Sequence, residues 1–193
     1  KAVRENIKDR VKCAKTDIQF VFDRESLASR LLSLLESERV PQRLAHNDAK
    51  LDNVLFCRTT GEVLCVCDLD TVMPGLSLYD FGDLVRSCAN PSGEDIESEI
   101  SLPLFEALVV GYLESTQCFL TMIEVEHLTI AGQLICFETG MRFLSDYLGG
   151  DTYFKIEYPE HNLHRARSQF ALVRSIERRS SELNRIVRRL SRR

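Results

Sequence analysis

His46-Asn47-Asp48-Ala49-Lys50-Leu51-Asp52-Asn53, followed fifteen residues later by Asp68-Leu69-Asp70, is the stretch that decides how this chain is read. Asp48 and Asn53 fall on one irregular loop that leads into a short apolar run, Val54 to Cys57. A second apolar run, Val63 to Cys67, ends at Asp68, and the Arg58-Thr59-Thr60-Gly61-Glu62 between the runs is turn-rich. The two runs read as the strands of a hairpin, with Cys65-Val66-Cys67 in a buried strand. Such a hairpin folds Asp68 back beside Asn53, where a carboxylate and an amide share one hard cation through oxygen, the donor type Mg²⁺ prefers. Asp48 stays free to accept a hydroxyl proton or to position a nucleophile. Asp70 points to the same side as Asp68 if the strand continues, which makes it a candidate second metal or water ligand. His46 reads as holding the loop through hydrogen bonds. Lys50 fits two roles equally, neutralising a transferring phosphoryl group or standing solvated at the surface.

One carboxylate, an amide five residues on and a second carboxylate across a hairpin are the groups phosphoryl transfer from ATP asks of a protein. Taken singly, His-x-Asp and Asp-x-Asp are weak signals; in this order and spacing they point together to a phosphotransferase. Two tripeptides invite a different reading. Asp80-Phe81-Gly82 spells the metal-binding triplet of protein kinases, but it lies past the hairpin, and Asp68 already occupies the metal position. Asp80 is expected instead to cap the following helix and tie down the catalytic loop. Asp48-Ala49-Lys50 matches the catalytic loop of serine/threonine kinases. Only eleven residues separate Asp68 from Asp80, too few for an activation segment. The acceptor is therefore expected to be a small molecule.

Outward from this centre the pattern is mostly helical. Residues 1–15 suggest a helix. Leu27, Leu31, Leu34 and Leu35 form an apolar stripe behind Ser26 as N-cap, with Pro41 just beyond the end. Helices follow from near Tyr79 to Asn90-Pro91, from about Leu104 to Phe119, and from Ile123 to Leu148, the last stopped by Gly149-Gly150. The expected fold is α+β, mostly helical, one folded unit with a small hairpin at the mouth of the site. Its parts are leading helices over 1–40, the catalytic loop, metal hairpin and following helix over 41–90, and a helical substrate-binding part with a basic end over 91–193.

Composition narrows the class further. Hydrophobic residues make up 44% and charged residues 28% of 193, ordinary for a globular protein, and no apolar run reaches membrane-spanning length. The seven cysteines are odd in number and lack zinc-site spacing, so reduced thiols and a cytoplasmic setting are expected. The net charge of −4 hides an arginine-rich end with ten arginines from Arg165 onward. Apolar residues from Phe170 to Leu190 recur there at helical spacing, so these arginines read as the solvated face of a terminal helix. No nucleic-acid partner and no membrane partner are expected.

His46 to Asn53 resembles the catalytic loop of the aminoglycoside phosphotransferase and choline kinase superfamily, relatives of the protein kinases. Within it, Asn53-Val54-Leu55-Phe56, Asp68-Leu69-Asp70-Thr71-Val72-Met73-Pro74-Gly75 and Tyr79-Asp80-Phe81-Gly82-Asp83 look most like N-acetylhexosamine 1-kinases. The resemblance implies Asp48 as catalytic base, Asn53 and Asp68 as Mg²⁺ ligands, and ATP as co-substrate. Gly140-Met141-Arg142-Phe143 through Tyr153 resembles the sugar-contacting region of those kinases, which makes Arg142 and Tyr153 candidate substrate residues. Arg142 also stands four residues from both Glu138 and Asp146, the spacing of helical ion pairs. The nucleotide clamp of such kinases, a strand-rich lobe with a lysine for the phosphates, is not legible before Asp48. The chain is accordingly expected to be the C-terminal catalytic lobe of a longer kinase, inactive alone. A kinase for choline, homoserine or an aminoglycoside, or a non-catalytic binding module, are the alternatives.

Overall fold

The computed structural model describes residues 1–91 and 97–192. Five short helical pieces lead: α1 (Ala2–Glu5), a 3₁₀ stretch (Ile7–Ala14), α2 (Lys15–Phe22), α3 (Glu25–Ala28) and α4 (Arg30–Glu36). Two antiparallel two-stranded ribbons follow: β1 (Arg43–Ala45) pairs with β4 (Met73–Gly75), and between them in sequence β2 (Val54–Phe56) pairs with β3 (Val63–Val66). The rest is helical: α5 (Ser77–Cys88), α6 (Leu102–Thr116), α7 (Met122–Glu126), α8 (Leu128–Gly149), α9 (His161–Arg178) and α10 (Ser180–Leu190). Among the described residues, no helix is long and apolar enough to cross a membrane.

The long helix α8 is the axis of the core, with α5 on one side and α9 on another. Leu128, Ala131, Leu134, Phe137, Leu144 and Leu148 are buried along it, so its apolar surface exceeds the single stripe of a surface helix. Contact with α5 is made at glycines. A Cβ on Gly82 would stand 2.4 Å from Ile135 Cγ1, and one on Gly132 would stand 2.7 Å from Val85 Cγ1. Without those side chains the two helices approach closely enough for Phe81, which meets Phe105 of α6 edge-on at 6.0 Å, to be fully buried. α8 ends at Gly150 in the left-handed region, φ 98°, a conformation that costs glycine little.

The hairpin Val54–Cys67 forms where the sequence places it, but β3 is exposed along its whole length rather than buried. An apolar run of four residues reads as a buried strand from sequence alone. Here it belongs to a two-stranded ribbon that no further layer of the described chain covers. The β1–β4 ribbon was not legible at all. Residues 1–15 do not make one helix, because Asn6, Lys8 and Asp9 take positive φ and break it. Ser26 lies inside α3 rather than at an N-cap. The helix expected over 123–148 is divided at His127, and the terminal one at Arg179. The arginines of that end are not only a solvated face: Arg167 pairs with Asp17 at 3.0 Å, Arg178 with Glu99 at 2.8 Å and Arg189 with Glu106 at 2.7 Å. Arg193 lies outside the described residues.

One buried carboxylate joins the β1–β4 ribbon to the helices. Glu124 is 1% exposed and accepts both Arg43 nitrogens at 2.8 Å, the Ser77 hydroxyl at 2.9 Å and the Thr121 amide at 2.7 Å. Burial pushes its pKa up, but the hydrogen bonds from Arg43, Thr121 and Ser77 outweigh burial and hold it down at about 2. A carboxylate depressed in the folded state stabilises the fold above its ordinary value of 4.5, and that stabilisation is lost as pH falls toward about 2. Glu124→Gln should therefore cost about 3 kcal/mol at neutral pH, the low end for one partner removed from a buried ion pair. It should also flatten the loss of stability between pH 4.5 and 2. Urea unfolding of wild type and variant across that range checks both.

Candidate active site

The loop from His46 to Asn53 is irregular, and its shape is imposed from α5. Asp80, in the first turn of that helix, accepts the backbone amides of His46 at 2.9 Å and Asn47 at 2.8 Å. Asn47 takes a left-handed conformation, φ 60°, and its side-chain amide donates to the carbonyls of Ala45 and Thr71, both at 3.2 Å. Farther along, the Leu51 amide donates to Ser87 Oγ at 3.1 Å, a second tie to α5. His46 Nε2 lies 3.2 Å from the Cys67 carbonyl, which fixes the proton on that nitrogen, and its Nδ1 is buried with no partner among the described residues. Asp80 thus holds the backbone of the loop, and the His46 side chain ties it to the hairpin at Cys67.

These ties place Asp48 between two donors. Its Oδ2 accepts Lys50 Nζ at 2.7 Å and Asn53 Nδ2 at 2.9 Å, and the same Asn53 nitrogen donates to the Asp48 carbonyl at 2.9 Å. Burial pushes the Asp48 pKa up, but hydrogen bonds from Lys50 and Asn53, with the charges of Lys50 and Arg86, leave it below the ordinary carboxylate value. Asn53 is itself buried, and because its nitrogen is committed to Asp48, its Oδ1 is the atom left for another ligand.

The hairpin brings the second carboxylate to the same place. Cys67 donates its amide to the Asn53 carbonyl at 2.8 Å, so Asp68 follows directly from the residue bonded to Asn53. The strand does not continue to Asp70, the condition under which the two carboxylates would share a side. Asp68 turns into the left-handed region, φ 61°, and Leu69–Thr71 form a 3₁₀ turn. The turn nevertheless brings the two carboxyls together: hydrogen bonding and charge from Asp70 are the leading causes that raise the Asp68 pKa. Two mutually repelling carboxyls and a free amide oxygen are a donor set suited to a hard cation. Among the described residues no three His, Cys, Asp or Glu side chains converge as a metal site. Asn53, Asp68 and Asp70 are the residues that would hold Mg²⁺, and by themselves they would hold it only in part.

Beyond the loop lies a cleft of ≈ 480 Å³, and Asp48 and Lys50 face it from one side while Arg142 and Tyr153 face it from the other. Asp146 builds that far wall. Its carboxylate accepts the amides of Thr152, Tyr153 and Phe154 and the side-chain amide of Asn162, each at 2.9 Å. Asp146 is thus spent on the loop after α8 and does not pair with Arg142, whose guanidinium lies 5.8 Å from the Tyr153 ring and 5.6 Å from the Phe154 ring. Three charged residues lining the cleft were not among the candidate site residues read from sequence: Asp83, Arg86 and Glu138, the last read only as an ion-pair candidate for Arg142. Asp83 is buried and bound by Arg86 at 3.0 Å. Their spacings, i to i+3 for Asp83–Arg86 and i to i+4 for Glu138–Arg142, were the only local signals available.

If Asp80 holds the loop, Asp80→Ala should speed amide hydrogen exchange at His46 and Asn47 at least tenfold and leave exchange in α9 unchanged. It should cost about 2 kcal/mol, the scale of two buried amides left without an acceptor and partly rescued by water. Exchange followed by mass spectrometry or NMR checks it; unchanged protection at 46–47 would remove Asp80 from this role.

With that geometry in hand, the match to known proteins has a physical content. Residues 3–114 match the family model APH, the phosphotransferase enzyme family. The match spans more than half of the chain and includes the Asp48 loop, the hairpin with Asp68, and α5 with Asp80. α8 and the Tyr153 wall lie beyond it. The mostly helical fold with its small ribbons fits that family, and the chain belongs to the phosphotransferase enzyme family, kinase-type enzymes that use ATP to phosphorylate small molecules.

Proposed function

We propose that the protein transfers the γ-phosphoryl group of ATP to the anomeric hydroxyl of an N-acetylhexosamine. The observation that carries this reading is the single cleft shared by Asp48, Arg142 and Tyr153. An acceptor resting against the far wall would present a hydroxyl to Asp48 at a distance set by the protein, and positioning supplies much of the catalysis in phosphoryl transfer. Lys50 and Asn53 occupy Asp48 Oδ2, which leaves Oδ1 for the acceptor hydroxyl. A carboxylate held below its ordinary pKa is ionised but weakly basic. Asp48 therefore mainly orients the hydroxyl and takes its proton as the new bond to phosphorus forms. Asn53 and Asp68, with Asp70 beside them, would hold Mg²⁺, which when bound would neutralise phosphate charge. Lys50, drawn to Asp48 before substrate arrives, is close enough to meet the transferred group as well.

On the sugar side, Arg142 offers a planar fork of donors to adjacent ring oxygens, and Tyr153 offers a hydroxyl. Phe143 and Phe154, 4.7 Å apart, supply an apolar face for the ring carbons. A choline site would need open aromatic faces for its cation, and here the Arg142 guanidinium already lies over Tyr153 and Phe154. The role of the chain as the catalytic lobe beside a nucleotide-clamping one is part of the same proposal. Exposed Leu55, Leu64, Val66 and Leu69 on and beside the hairpin support it, as apolar surface next to the phosphate-side residues. A cytoplasmic setting also belongs to it and goes with seven free thiols.

Turnover by the full-length protein with N-acetylglucosamine, N-acetylgalactosamine, choline, homoserine and an aminoglycoside tests the acceptor. A preference for any of the last three would overturn the sugar assignment. In the same protein, Asp48→Asn should lower kcat on the order of 10²-fold with little change in the KM for ATP, the signature of a lost proton acceptor. Steady-state kinetics with each substrate varied in turn would show it, and near-normal kcat would move the role elsewhere.

A further inference from the structure

Every charged group in the cleft has a charged neighbour, but the neighbours are used differently. Asp48 is locked to Lys50 at 2.7 Å, and Asp83 to Arg86 at 3.0 Å. Glu138 and Arg142, one helical turn apart on α8, line the same cleft. Among the described residues neither closes an ion pair: Arg142 only lies over aromatic rings, and Glu138 accepts no hydrogen bond. Glu138 is half-buried, desolvated, and beside the like charge of Asp83, with Arg142 as the compensating cation. A half-buried carboxylate without a donor is costly unless something else supplies the donor, because a desolvated charge gains strongly from any hydrogen bond offered to it.

Resting on the acceptor reading above, we propose that Glu138 is the specificity-determining residue of the cleft. With Arg142 it forms an acceptor–donor pair that reads a neutral polyhydroxylated acceptor. Ionised, Glu138 only accepts hydrogen bonds and Arg142 only donates them, so a hydroxyl pair on a sugar ring satisfies both at once. Three carboxylates meet three cations in the cleft, so a neutral acceptor leaves the balance intact. A cationic amine would be drawn to Glu138 but repelled by Arg142, and an anionic sugar acid drawn to Arg142 but repelled by Glu138, so neither satisfies both side chains as a neutral hydroxyl pair does. The cleft therefore excludes charged acceptors of either sign by the same two side chains, a selectivity built from repulsion as well as attraction.

Titration calorimetry on the full-length protein with N-acetylglucosamine, protonated glucosamine and glucuronate tests this. The wild type should bind N-acetylglucosamine at least tenfold more tightly than either charged analogue. Glu138→Gln, close in shape, should weaken N-acetylglucosamine about tenfold, the scale of one charge-assisted hydrogen bond lost. It should also improve glucuronate relative to glucosamine. Arg142→Met should do the opposite, favouring glucosamine, so a variant that failed to fold would leave the other to decide. Binding of N-acetylglucosamine by Glu138→Gln within twofold of wild type, with no change in the order of the charged analogues, would overturn the role of Glu138 and leave the sugar-kinase reading standing. A wild type that binds none of the three sugars but phosphorylates choline, homoserine or an aminoglycoside would overturn both.

Discussion

The site depends on one carboxylate that does no chemistry. Asp80 takes the amides of two successive residues, His46 and Asn47, and so holds open a turn that the backbone would otherwise not keep, with Asn47 at φ 60°. An asparagine tolerates that conformation better than most residues, and here its side chain also knits the loop to the Thr71 carbonyl. Since Asp80 stands on α5, and α5 sits against α8 at Gly82 and Gly132, the position of Asp48 is referred to the buried core and not to the surface loop that carries it. Ser87 repeats the arrangement one helical stretch later, at Leu51.

A second carboxylate does the same for the opposite wall. Asp146 gathers three consecutive amides and Asn162, so the segment from Thr152 to Phe154 has its backbone donors satisfied although Tyr153 itself is 73% exposed. Burial pushes the Asp146 pKa up, but the amides of Phe154, Tyr153 and Thr152 outweigh it, and the group stays charged where it is needed. Asp80 and Asp146 thus frame the cleft from its two sides, each fixing backbone while leaving the side chains beyond it to meet ligand.

What the sequence made legible was what is local. The closeness of Asp48, Asn53 and Asp68 was legible because it is a matter of loop length and one hairpin, and the family match covers the same stretch. The β1–β4 ribbon was missed because three-residue strands separated by the whole hairpin carry no periodic signal of their own. α2 was missed because Lys-Thr-Asp-Ile-Gln-Phe-Val-Phe mixes β-branched and aromatic residues that favour strands, and tertiary contacts overrode that preference. Phe20, for example, packs 4.7 Å from Phe170. The breaks at His127 and Arg179 occur without glycine or proline, the residues that announce breaks in a sequence. Glu138 was read only as a helical ion-pair candidate for Arg142; among the described residues it accepts no hydrogen bond, and a sequence shows candidates for pairing but not whether they pair.

The division of the cleft between two stretches of chain has an evolutionary meaning. The carboxylates and amide proposed for the phosphate side lie on the loop and hairpin from Asp48 to Asp70, while the opposite lining of the cleft comes from α8 and the segment after it, from Glu138 to Phe154. The two stretches share few direct contacts and are registered to each other through the buried α5–α8 seam. Substitutions on the exposed turns of α8 would then retune which hydroxyl compound is accepted, while the inherited transfer apparatus stays intact. Acceptor preference in such an arrangement could then shift on α8 and the segment after it without disturbing the loop that carries Asp48.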